Sequence, residues 1–502
     1  MSSIDRWRDN ILSKPEKVAF SFANSSETVS NFEVAQFAVA LGLFADINGV
    51  SRSQIVGILH DQTPEAYLTQ AALFLLGFPY VNIDPDSPSD RIHRITKKLG
   101  LSLIFCAKST AARLSTSGAK PFLERGGEIL ERPHSLKPHP TRKSDLAYVV
   151  LTSGSTGEPK AVQITHANLD HFLEWAEETF ALTANDVFAT LNPAHFDNGV
   201  FDFFCSQTLG AQLHVIPSKI VQDPSAIATA LLNSPCNIWF SVPSLVNYML
   251  VTRALDGTAL RKFTKFLLGG EGLPKKLLEA LMNCVEMPDC RIWNVYGPSE
   301  CACMCSAYEL TRESLSTFDG LAPIGAISGK FRHYLKDSDV RGVGELVLQG
   351  PQVGPGYIGD EMATSKSFAS HDTLSSKFSS RSYLTGDLMR VDDAGRLRFV
   401  GRTDSQVKIM GRRIELTEIE LELLRIDGCN EAFVALVEGS SGISTLAAYI
   451  GGWGNPAEIR ASLAEVLPKY MVPKVIHVMP LLPKNRNGKV DRKFLREGFG
   501  DE

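Results

Sequence analysis

Residues 152–160, Thr-Ser-Gly-Ser-Thr-Gly-Glu-Pro-Lys, combine residue types that suit the binding of an anion. Two glycines allow the backbone to turn its N–H groups inward, four hydroxyls can donate hydrogen bonds, and one lysine adds a positive charge. This set favours a cluster of phosphate oxygens, and we call it the phosphate loop. It is not a Walker A loop, because the Gly-Lys-Ser/Thr ending that opens a helix is absent. The alternative is a Ser/Gly-rich surface hairpin.

The segments around the phosphate loop alternate between strand-like and helical patterns. Residues 148–151 and 161–164 are β-branched, aromatic or aliphatic, so we expect a strand on each side of the loop. Strand–helix alternation of this kind predicts an α/β fold with doubly wound, largely parallel sheets. Further strands are expected at 53–59, 80–85, 102–107, 187–191, 237–242 and 266–270, and helices at 34–45, 67–77, 167–178, 225–233, 245–251 and 274–284.

From about residue 325 the pattern changes to β-rich segments separated by glycine turns, which predicts a β-barrel-like subdomain. After residue 402 come a charged helical segment at 417–426, two strands and a further helix, enough for a small core of their own. We therefore expect a large N-terminal domain over residues 1–402 and a small, mobile α+β C-terminal domain over 403–502.

Composition excludes several classes of protein. A chain of 502 residues with 44% hydrophobic content can bury a large core. A net charge of −5 without blocks of like charge argues against a nucleic-acid partner. The charged N-terminus has no apolar run that would serve as a signal peptide or membrane span. We expect a cytoplasmic monomer that does not bind membranes.

The nine cysteines are irregularly spaced and odd in number, which argues against a disulfide framework. Cys301, Cys303 and Cys305 alternate with other residues, so on a strand they would share one face. Metal sites more often use Cys-x-x-Cys turns. Small apolar wall residues are the favoured interpretation of this cluster, and a metal site is the alternative.

Four further motifs follow the phosphate loop: NVYGPSE (294–300), YLTGDL (383–388), GRTDSQVKIMGRRIE (401–415) and PKNRNGKVDRK (483–493). In this order the chain closely resembles the adenylate-forming superfamily, which includes acyl-CoA synthetases, luciferase and the adenylation domains of nonribosomal peptide synthetases. It is most similar to stand-alone amino acid–carrier protein ligases of the D-alanine ligase type. That similarity lies in YVNIDPDSPSDRI (80–92), the Phe-Asp pair at 196–197, LPKYMVP (467–473) and the terminal NGKVDRK.

The resemblance implies a ligase reaction in two steps. A carboxylate attacks the α-phosphate of ATP and releases pyrophosphate, and a phosphopantetheine thiol then displaces AMP from the acyl-adenylate. Negative charge develops on oxygens in both steps, so the site needs positioned donors, a divalent cation such as Mg²⁺ and a lysine.

The resemblance also implies which residues bind the nucleotide. Glu300 would bind Mg²⁺, Ser299 would donate to the α-phosphate, and Lys489 would bridge the substrate carboxylate and the α-phosphate in the first step only. Phosphate contacts fall to Thr152, Ser153, Gly154, Ser155, Thr156, Gly157 and, less directly, Lys160; adenine contacts to Asn294, Tyr296 and Gly297; ribose contacts to Asp387 and Arg402. Taken alone, NVYGPSE and Thr-Gly-Asp are equally typical of turns, and Lys489 of a solvated tail.

The stretch PAHFDNGVFDFF (193–204) is the most informative about the acyl substrate. The resemblance makes Phe196 a gating aromatic residue and Asp197 the partner of a substrate α-ammonium group. A buried charge pair requires both charges, so Asp197 argues against a fatty or aryl acid. The alternative is an aspartate that caps the next helix. The other pocket positions carried over from the family are Asn198, Phe201, Ser241, Leu267, Gly269, Val295, Cys303 and Met304.

These pocket positions are mostly apolar, which favours an amino acid with a small to medium apolar side chain. Gly269 would make room and Phe201 would take some away. Gly269 also differs from the larger residue of the D-alanine ligases, so the enantiomer stays open.

The sequence thus predicts an ATP- and Mg²⁺-dependent amino-acid ligase that loads a separate phosphopantetheinylated carrier protein, since the chain ends shortly after Lys489. A rotated C-terminal domain would serve the second step, with Asp404 near the hinge and residues 408–413 beside the thiol tunnel. Two alternatives remain open: an acyl- or aryl-CoA synthetase, and a non-catalytic nucleotide-binding protein of the same fold.

Overall fold

The computed structural model describes residues 1–114, 120–122, 141–154, 157–255, 257–285, 289–370, 381–438, 444–484 and 490–497. Its strands are β1 (Val18–Phe22), β2 (Thr28–Ser30), β3 (Val56–Leu59), β4 (Tyr80–Asn82), β5 (Leu103–Cys106), β6 (Lys120–Phe122), β7 (Leu146–Thr152), β8 (Lys160–Thr165), β9 (Val187–Thr190), β10 (Gln212–Val215), β11 (Ile238–Ser241), β12 (Lys265–Gly269), β13 (Arg291–Tyr296), β14 (Ser306–Leu310), β15 (Ala326–Ile327), β16 (Arg332–Lys336), β17 (Gly344–Gln349), β18 (Phe368–Ser370), β19 (Arg381–Val391), β20 (Leu397–Arg402), β21 (Gln406–Ile409), β22 (Arg412–Glu415), β23 (Cys429–Glu438), β24 (Ser444–Gly452) and β25 (Val475–Met479).

Its α-helices are α1 (Ser3–Ser13), α2 (Asn31–Ile47), α3 (Pro64–Leu75), α4 (Ser89–Leu99), α5 (Lys108–Ala111), α6 (His166–Phe180), α7 (Asn198–Val200), α8 (Ser206–Leu209), α9 (Ser218–Val221), α10 (Pro224–Asn233), α11 (Pro243–Val251), α12 (Gly257–Leu260), α13 (Lys275–Cys284), α14 (Glu361–Ser367), α15 (Leu416–Leu423), α16 (Pro456–Val466) and α17 (Arg492–Glu497). A π-helix, Phe201–Cys205, joins α7 to α8. Among the helices of the described ranges, none combines the length and the apolar character that a membrane span needs.

A nine-stranded sheet forms the centre of the N-terminal part, in the order β15-β14-β13-β12-β11-β9-β10-β1-β2. Its central strands are parallel, because a helix returns the chain between successive strands; β14 and β15 extend the sheet antiparallel at one edge. Parallel strands end at the same edge of a sheet, where crevices form. The carboxyl ends of β12 and β13 therefore lie side by side.

A second sheet of six strands, in the order β6-β5-β3-β4-β7-β8, carries the phosphate loop. Its ladders are parallel except for the last, where β7 and β8 pair antiparallel from Leu146–Thr165 to Thr152–Lys160. The predicted strand on each side of the loop is thus confirmed. The predicted α/β class with doubly wound sheets is confirmed as well.

The β-rich region after residue 325 forms a five-stranded antiparallel sheet, in which β19 pairs with β17, β18 and β20. A bridge between Gly325 and Leu397 joins this sheet to the N-terminal core. The end of β20 brings Arg402 opposite Asp387 of β19. Two residues of the predicted site thus become neighbours through strand register.

The C-terminal part contains a β21–β22 hairpin and a three-stranded sheet, β23-β24-β25, against which α15 and α16 pack. Its apolar core includes Ile414, Ile419, Leu463 and Ile450, each almost fully buried. Burying side chains of this kind contributes about 1.5–3 kcal/mol each. The boundary between residues 402 and 403 stays a prediction.

The N-terminal core is rich in aromatic side chains that lie between α1, α3 and the π-helix. Phe203 contacts Trp7 edge to face, with ring centroids 5.5 Å apart, and Phe204 contacts Phe74 at 4.8 Å. Aromatic pairs in this geometry add about 0.5–1.5 kcal/mol beyond their buried area. This packing fixes the π-helix that directly follows Asp197 and α7.

Candidate active site

The phosphate loop leaves β7 at Thr152 and depends on its two glycines. A Cβ atom on Gly154 would lie 2.0 Å from the Glu158 carbonyl oxygen, so no larger residue fits there. Gly157 has a φ of +80°, in the left-handed region that favours glycine. The backbone therefore turns as the sequence predicts. Ser155 and Thr156, both predicted phosphate contacts, lie outside the described residues.

Hydrogen-bonding groups of the phosphate loop face the segment 413–418. Ser153 Oγ donates to the Arg413 carbonyl at 2.9 Å and accepts from the Glu415 amide at 3.0 Å. The Gly154 amide donates to Glu418 Oε2 at 3.1 Å. Thr152 Oγ1 is buried and has no hydrogen-bond partner among the described residues. The loop therefore offers donors and is covered by the C-terminal part.

Lys160 begins β8 and lies beside this contact. Its Nζ is 3.8 Å from Glu415 Oε1 and 5.5 Å from the centre of the Tyr357 ring. Its charge is therefore already opposed by a carboxylate in this arrangement. Its role in phosphate binding stays a prediction.

Glu300 is a fully buried carboxylate beside the phosphate loop. It accepts from Tyr357 Oη at 2.7 Å, and Arg413 Nη1 donates to both of its oxygens, at 2.8 and 3.1 Å. Burial alone would raise the pKa of Glu300, but the Arg413 guanidinium and the Tyr357 hydroxyl outweigh it and lower that pKa. Glu300 is therefore an ionised carboxylate that a cation already neutralises.

The carboxyl end of β13 leads into the turn that carries Glu300. Tyr296 Oη donates to Asp387 Oδ2 at 2.6 Å, and Arg402 forms an ion pair with the other carboxylate oxygen. Asn294 Nδ2 donates to the Pro323 carbonyl at 2.8 Å, so it supports the neighbouring loop. A Cβ on Gly297 would lie 2.4 Å from the Cys303 carbonyl oxygen, which requires glycine there.

Part of the predicted nucleotide site lines a cavity of about 500 Å³, whereas Thr152, Ser153 and Ser299 line the adjoining cavity. Of the predicted positions, Asn294, Tyr296, Gly297, Asp387 and Arg402 line the first of these. The same cavity is bounded from the C-terminal part by Leu416 and Leu436, which the sequence did not single out. Its size and its mixed polar and apolar walls suit a nucleoside.

Asp197 lines a second, adjoining cavity and contacts Ser299. Ser299 Oγ donates to Asp197 Oδ2, and Asp197 makes no side-chain hydrogen bond to the helix α7 that it precedes. The alternative of a capping aspartate is therefore wrong. Burial raises the pKa of Asp197, and this rise is opposed by Ser299 and by the positive charges of Lys408 and Arg413.

The predicted acyl-pocket residues divide into two groups. Phe196, Asn198, Val295, Cys303 and Met304 line the cavity beside Asp197. The other four lie buried behind this wall: Phe201, Ser241, Leu267 and Gly269.

The expectation that Gly269 makes room in the pocket is corrected by its surroundings. A Cβ there would lie 2.5 Å from Val295 Cγ2 and 3.4 Å from Phe240 Cε2, so side chains already fill the space. Phe240, which the sequence did not single out, lines the cavity instead. Its position on a buried, nearly continuous apolar strand gave no signal of this role.

The three alternate cysteines do not share a strand face. Cys301 ends a 3₁₀ turn (Ser299–Cys301), and Ala302 and Cys303 have φ values of +55° and +77°. All three side chains are buried, which fits the apolar interpretation. Within the described ranges no group of three or more His, Cys, Asp or Glu side chains is arranged to hold a metal ion.

The β21–β22 hairpin reaches into the site from the C-terminal part. Met410 and Gly411 have positive φ values, 51° and 72°, as tight two-residue hairpin turns require, and the Gly411 amide donates to Glu271 Oε1 at 2.8 Å. Lys408 lines both cavities, and the Arg412 guanidinium lies 5.3 Å from the Phe196 ring and 4.7 Å from the Tyr470 ring.

The sequence named this segment but not its individual contacts. It missed Arg91, Tyr357, Arg412, Arg413 and Glu418. The high density of charged residues in RRIELTEIE (412–420) was a usable signal. A segment that packs on a small core normally has few charged side chains facing inward, so this many charges indicate contacts with other parts of the chain. Lys489 lies outside the described residues.

The fold and this site together define an adenylate-forming ligase. Residues 7–358 match the family described as "AMP-binding enzyme", and residues 418–489 match "AMP-binding enzyme C-terminal domain". The chain therefore belongs to the AMP-binding enzyme family.

Individual relatives agree with this assignment. The chain is 29% identical to "D-alanine--D-alanyl carrier protein ligase" of Bacillus cytotoxicus, over 99% of this chain and 98% of that protein. It is 30% identical to "Tyrocidine synthase 2" of Brevibacillus parabrevis over 98% of this chain. That protein is much longer, and the match covers only 14% of it. A solved structure of holo-PA1221, an NRPS protein containing adenylation and PCP domains, has a TM-score of 0.83 at 23% identity, covering 98% of this chain and 84% of that chain.

The tight surroundings of Gly154 predict that Gly154→Ala weakens ATP binding at least tenfold, about 1.4 kcal/mol or more. The added methyl must displace the Glu158 carbonyl and with it the amides of the phosphate loop. Binding is measured by isothermal titration calorimetry. Gly329→Ala is the matched control, because a Cβ there meets no atom within 4 Å. Equal ATP affinity of the two variants would contradict the loop's role.

Proposed function

We propose that this protein activates an amino acid with ATP and transfers it to the phosphopantetheine thiol of a separate carrier protein. The observation that carries this proposal is Asp197, a carboxylate at the wall of a cavity also lined by Phe196, Phe240, Val295 and Met304. The charges of Lys408 and Arg413, which also line this cavity, offset part of the cost of placing this carboxylate there, and a cation bound directly to it would offset more. The α-ammonium of an amino acid supplies that cation, and the apolar wall receives a small to medium apolar side chain.

The hydrogen bond from Ser299 to Asp197 suggests how the substrate enters. With an ammonium group on Asp197, Ser299 no longer needs this acceptor and can donate to an α-phosphate oxygen. One event then pairs the half-buried Asp197 carboxylate and prepares Ser299 as a donor for the first step. Phe196 and the Arg412 side chain beside it would close the amino-acid end of the cavity.

The nucleotide would lie along the neighbouring cavity. Tyr296 and Asn294 would border the adenine, and Asp387, already oriented by Tyr296 and Arg402, would accept from the ribose hydroxyls. Gly154, Ser153 and Thr152 would donate to the β- and γ-phosphates. The Thr152 hydroxyl, which has no hydrogen-bond partner within the described part of the chain, fits such an acceptor.

Magnesium fits the residues beside the phosphate loop. Mg²⁺ is usually bound through one or two carboxylates together with phosphate oxygens, and Glu300 is an ionised, buried carboxylate that already accepts a cation. When bound, Mg²⁺ would neutralise charge on the phosphate oxygens. Tyr357 would hold the Glu300 carboxylate in place.

The two steps would use different placements of the C-terminal part. Lys489 would serve the adenylation step. The arrangement with residues 408–413 inside the site would serve the thiol step. A carrier protein is proposed as the thiol's owner because relatives of nearly equal length are named carrier protein ligases.

The first prediction is amino-acid-dependent exchange of labelled pyrophosphate into ATP by the purified protein with Mg²⁺. The twenty amino acids and D-alanine are tested singly, and exchange is expected with small or medium apolar members. No exchange with any of them would contradict the proposal. Exchange or thioester formation only with fatty or aryl acids and CoA would favour a CoA synthetase instead.

A second prediction concerns Asp197→Asn, which keeps the side-chain shape and removes the charge. The kcat/KM for the amino acid should fall at least 100-fold, about 2.7 kcal/mol, because the ammonium loses its partner. ATP affinity should stay unchanged. Asp202→Asn is the matched control, because burial already raises the pKa of Asp202 to about 8 and keeps it largely neutral at pH 7.

The same residue predicts a pH dependence. Burial raises the pKa of Asp197, so the protonated form, which cannot pair with an ammonium, persists to higher pH than for an ordinary aspartate. The KM for the amino acid should therefore fall as pH rises through this pKa, and the dependence should vanish in Asp197→Asn. Steady-state kinetics across pH provide the measurement, and an identical profile in both proteins would refute the assignment.

A fourth prediction separates the two steps. Lys489→Ala should reduce pyrophosphate exchange at least 100-fold while thiol transfer from a supplied aminoacyl-adenylate falls less than tenfold, because the lysine serves only the first step. Lys484→Ala is the control, since its amine forms an ion pair with Glu431 in the C-terminal part. Equal losses in both steps for Lys489→Ala would count against the two-placement scheme.

A further inference from the structure

Glu418 places a carboxylate on the phosphate loop. It lies in the first turn of α15, is fully buried, and accepts from the Gly154 amide at 3.1 Å through Oε2. Through Oε1 it accepts from Arg91 Nη1 at 2.7 Å, and the Arg91 side chain is only 6% exposed. An anion thus occupies the donors of a loop whose chemistry suits phosphate.

Arg413 places a positive charge on the neighbouring carboxylate. Its Nη1 donates to both oxygens of Glu300 at 2.8 and 3.1 Å, although Glu300 has no exposure to solvent. Under the proposed function Mg²⁺ would bind this same carboxylate. The Arg413 guanidinium therefore lies at the carboxylate where Mg²⁺ would bind.

The backbone of one short segment connects the two charges. Ser153 Oγ donates to the Arg413 carbonyl and accepts from the Glu415 amide. These two hydrogen bonds fix the end of β22 against the phosphate loop. Three residues further on, α15 presents Glu418 to Gly154. Arg413 and Glu418 therefore reach the site together, and leave it together, when the C-terminal part moves.

We propose that residues 413–418 are a built-in replacement for magnesium pyrophosphate, in which Arg413 takes the place of the metal at Glu300 and Glu418 that of pyrophosphate at Gly154. This inference rests on the proposed function, since it uses pyrophosphate as the product of the first step. Arg413 and Glu418 are positioning residues for the second step.

The contacts imply that residues 413–418 and magnesium pyrophosphate cannot occupy the site at the same time. A single amide hydrogen on Gly154 serves either Glu418 or a phosphate oxygen, and Arg413 engages both carboxylate oxygens of Glu300. Arg91 would have an anion beside it in either state, first pyrophosphate and then Glu418. The C-terminal part therefore closes only after metal and pyrophosphate have left, and closure prevents the adenylate from reacting backwards.

The test measures the distance between the two parts of the full-length chain. Spin labels are attached through Glu178→Cys on α6 and Ser462→Cys on α16, both exposed. The background carries Cys284→Ser, because Cys284 alone among the nine native cysteines is not buried and would also react. Inorganic pyrophosphate is titrated with and without Mg²⁺, and distances are read by double electron–electron resonance. Pyrophosphate binding is followed in parallel by calorimetry.

In the otherwise unmodified labelled chain, pyrophosphate with Mg²⁺ should shift the distance distribution away from that of the ligand-free protein. Glu418→Gln should reach half of this shift at a pyrophosphate concentration at least tenfold lower. Arg413→Gln should show the shift without Mg²⁺, since no cation then has to be displaced from Glu300. Arg425→Gln is the control, because Arg425 is 66% exposed and pairs with Glu422 near the end of α15.

Three outcomes would overturn the inference. They are an unchanged distance at pyrophosphate concentrations that saturate binding, no detectable binding of pyrophosphate, and the same half-shift concentration in Glu418→Gln as in Arg425→Gln. Both ion pairs join the two parts of the chain, so the loss of one should weaken the contact between the parts and should not unfold either of them. Circular dichroism verifies folding, and Arg413→Gln provides an independent test if Glu418→Gln fails to fold.

This experiment contains neither an amino acid nor a carrier protein. A distance response without amino-acid-dependent exchange would leave the inference standing and remove the proposed substrate class. Amino-acid-dependent exchange without a distance response would do the reverse.

Discussion

The buried negative charge of Glu300 is the constraint on which the rest of the site depends. A carboxylate without solvent contact is stable only with a cation and hydrogen-bond donors around it. Tyr357, from the segment before α14, supplies the donor, and Arg413, from β22, supplies the cation. Three distant stretches of the chain are therefore held together by the requirement to neutralise one side chain.

The same requirement explains why the C-terminal part sits over the site. Arg413 approaches Glu300 only if β22 lies against the phosphate loop, and the two hydrogen bonds of Ser153 hold it there. Glu418 and Arg91 add a second buried ion pair across the same interface. Each pair is sustained only while both partners are present, so the interface is stable when closed and costly when half closed. Such a contact suits two discrete placements better than a continuum of intermediate ones.

The site also shows how a buried polar group is shared between uses. Ser299 donates a hydrogen bond to Asp197, and Tyr296 donates one to Asp387. Each of these groups has a role in binding under the proposed function, so a ligand would exchange one hydrogen bond for another. Exchange of this kind avoids leaving a buried donor or acceptor unpaired, which costs about 1–3 kcal/mol.

The sequence by itself determined the α/β class and the strands around the phosphate loop, and it predicted that Asp197, Tyr296, Glu300 and Asp387 belong to one site. These features depend on local periodicity and on motifs in a fixed order, which a linear chain displays directly. Only the tertiary structure decided that the alternate cysteines lie in a turn and that Val295 fills the space left by Gly269. It alone also paired Arg91 with Glu418, which are separated by more than 300 residues along the chain. The physical reason is that the partner of a buried charge or the occupant of a gap is set by packing between distant segments, and spacing along the sequence carries no record of that packing.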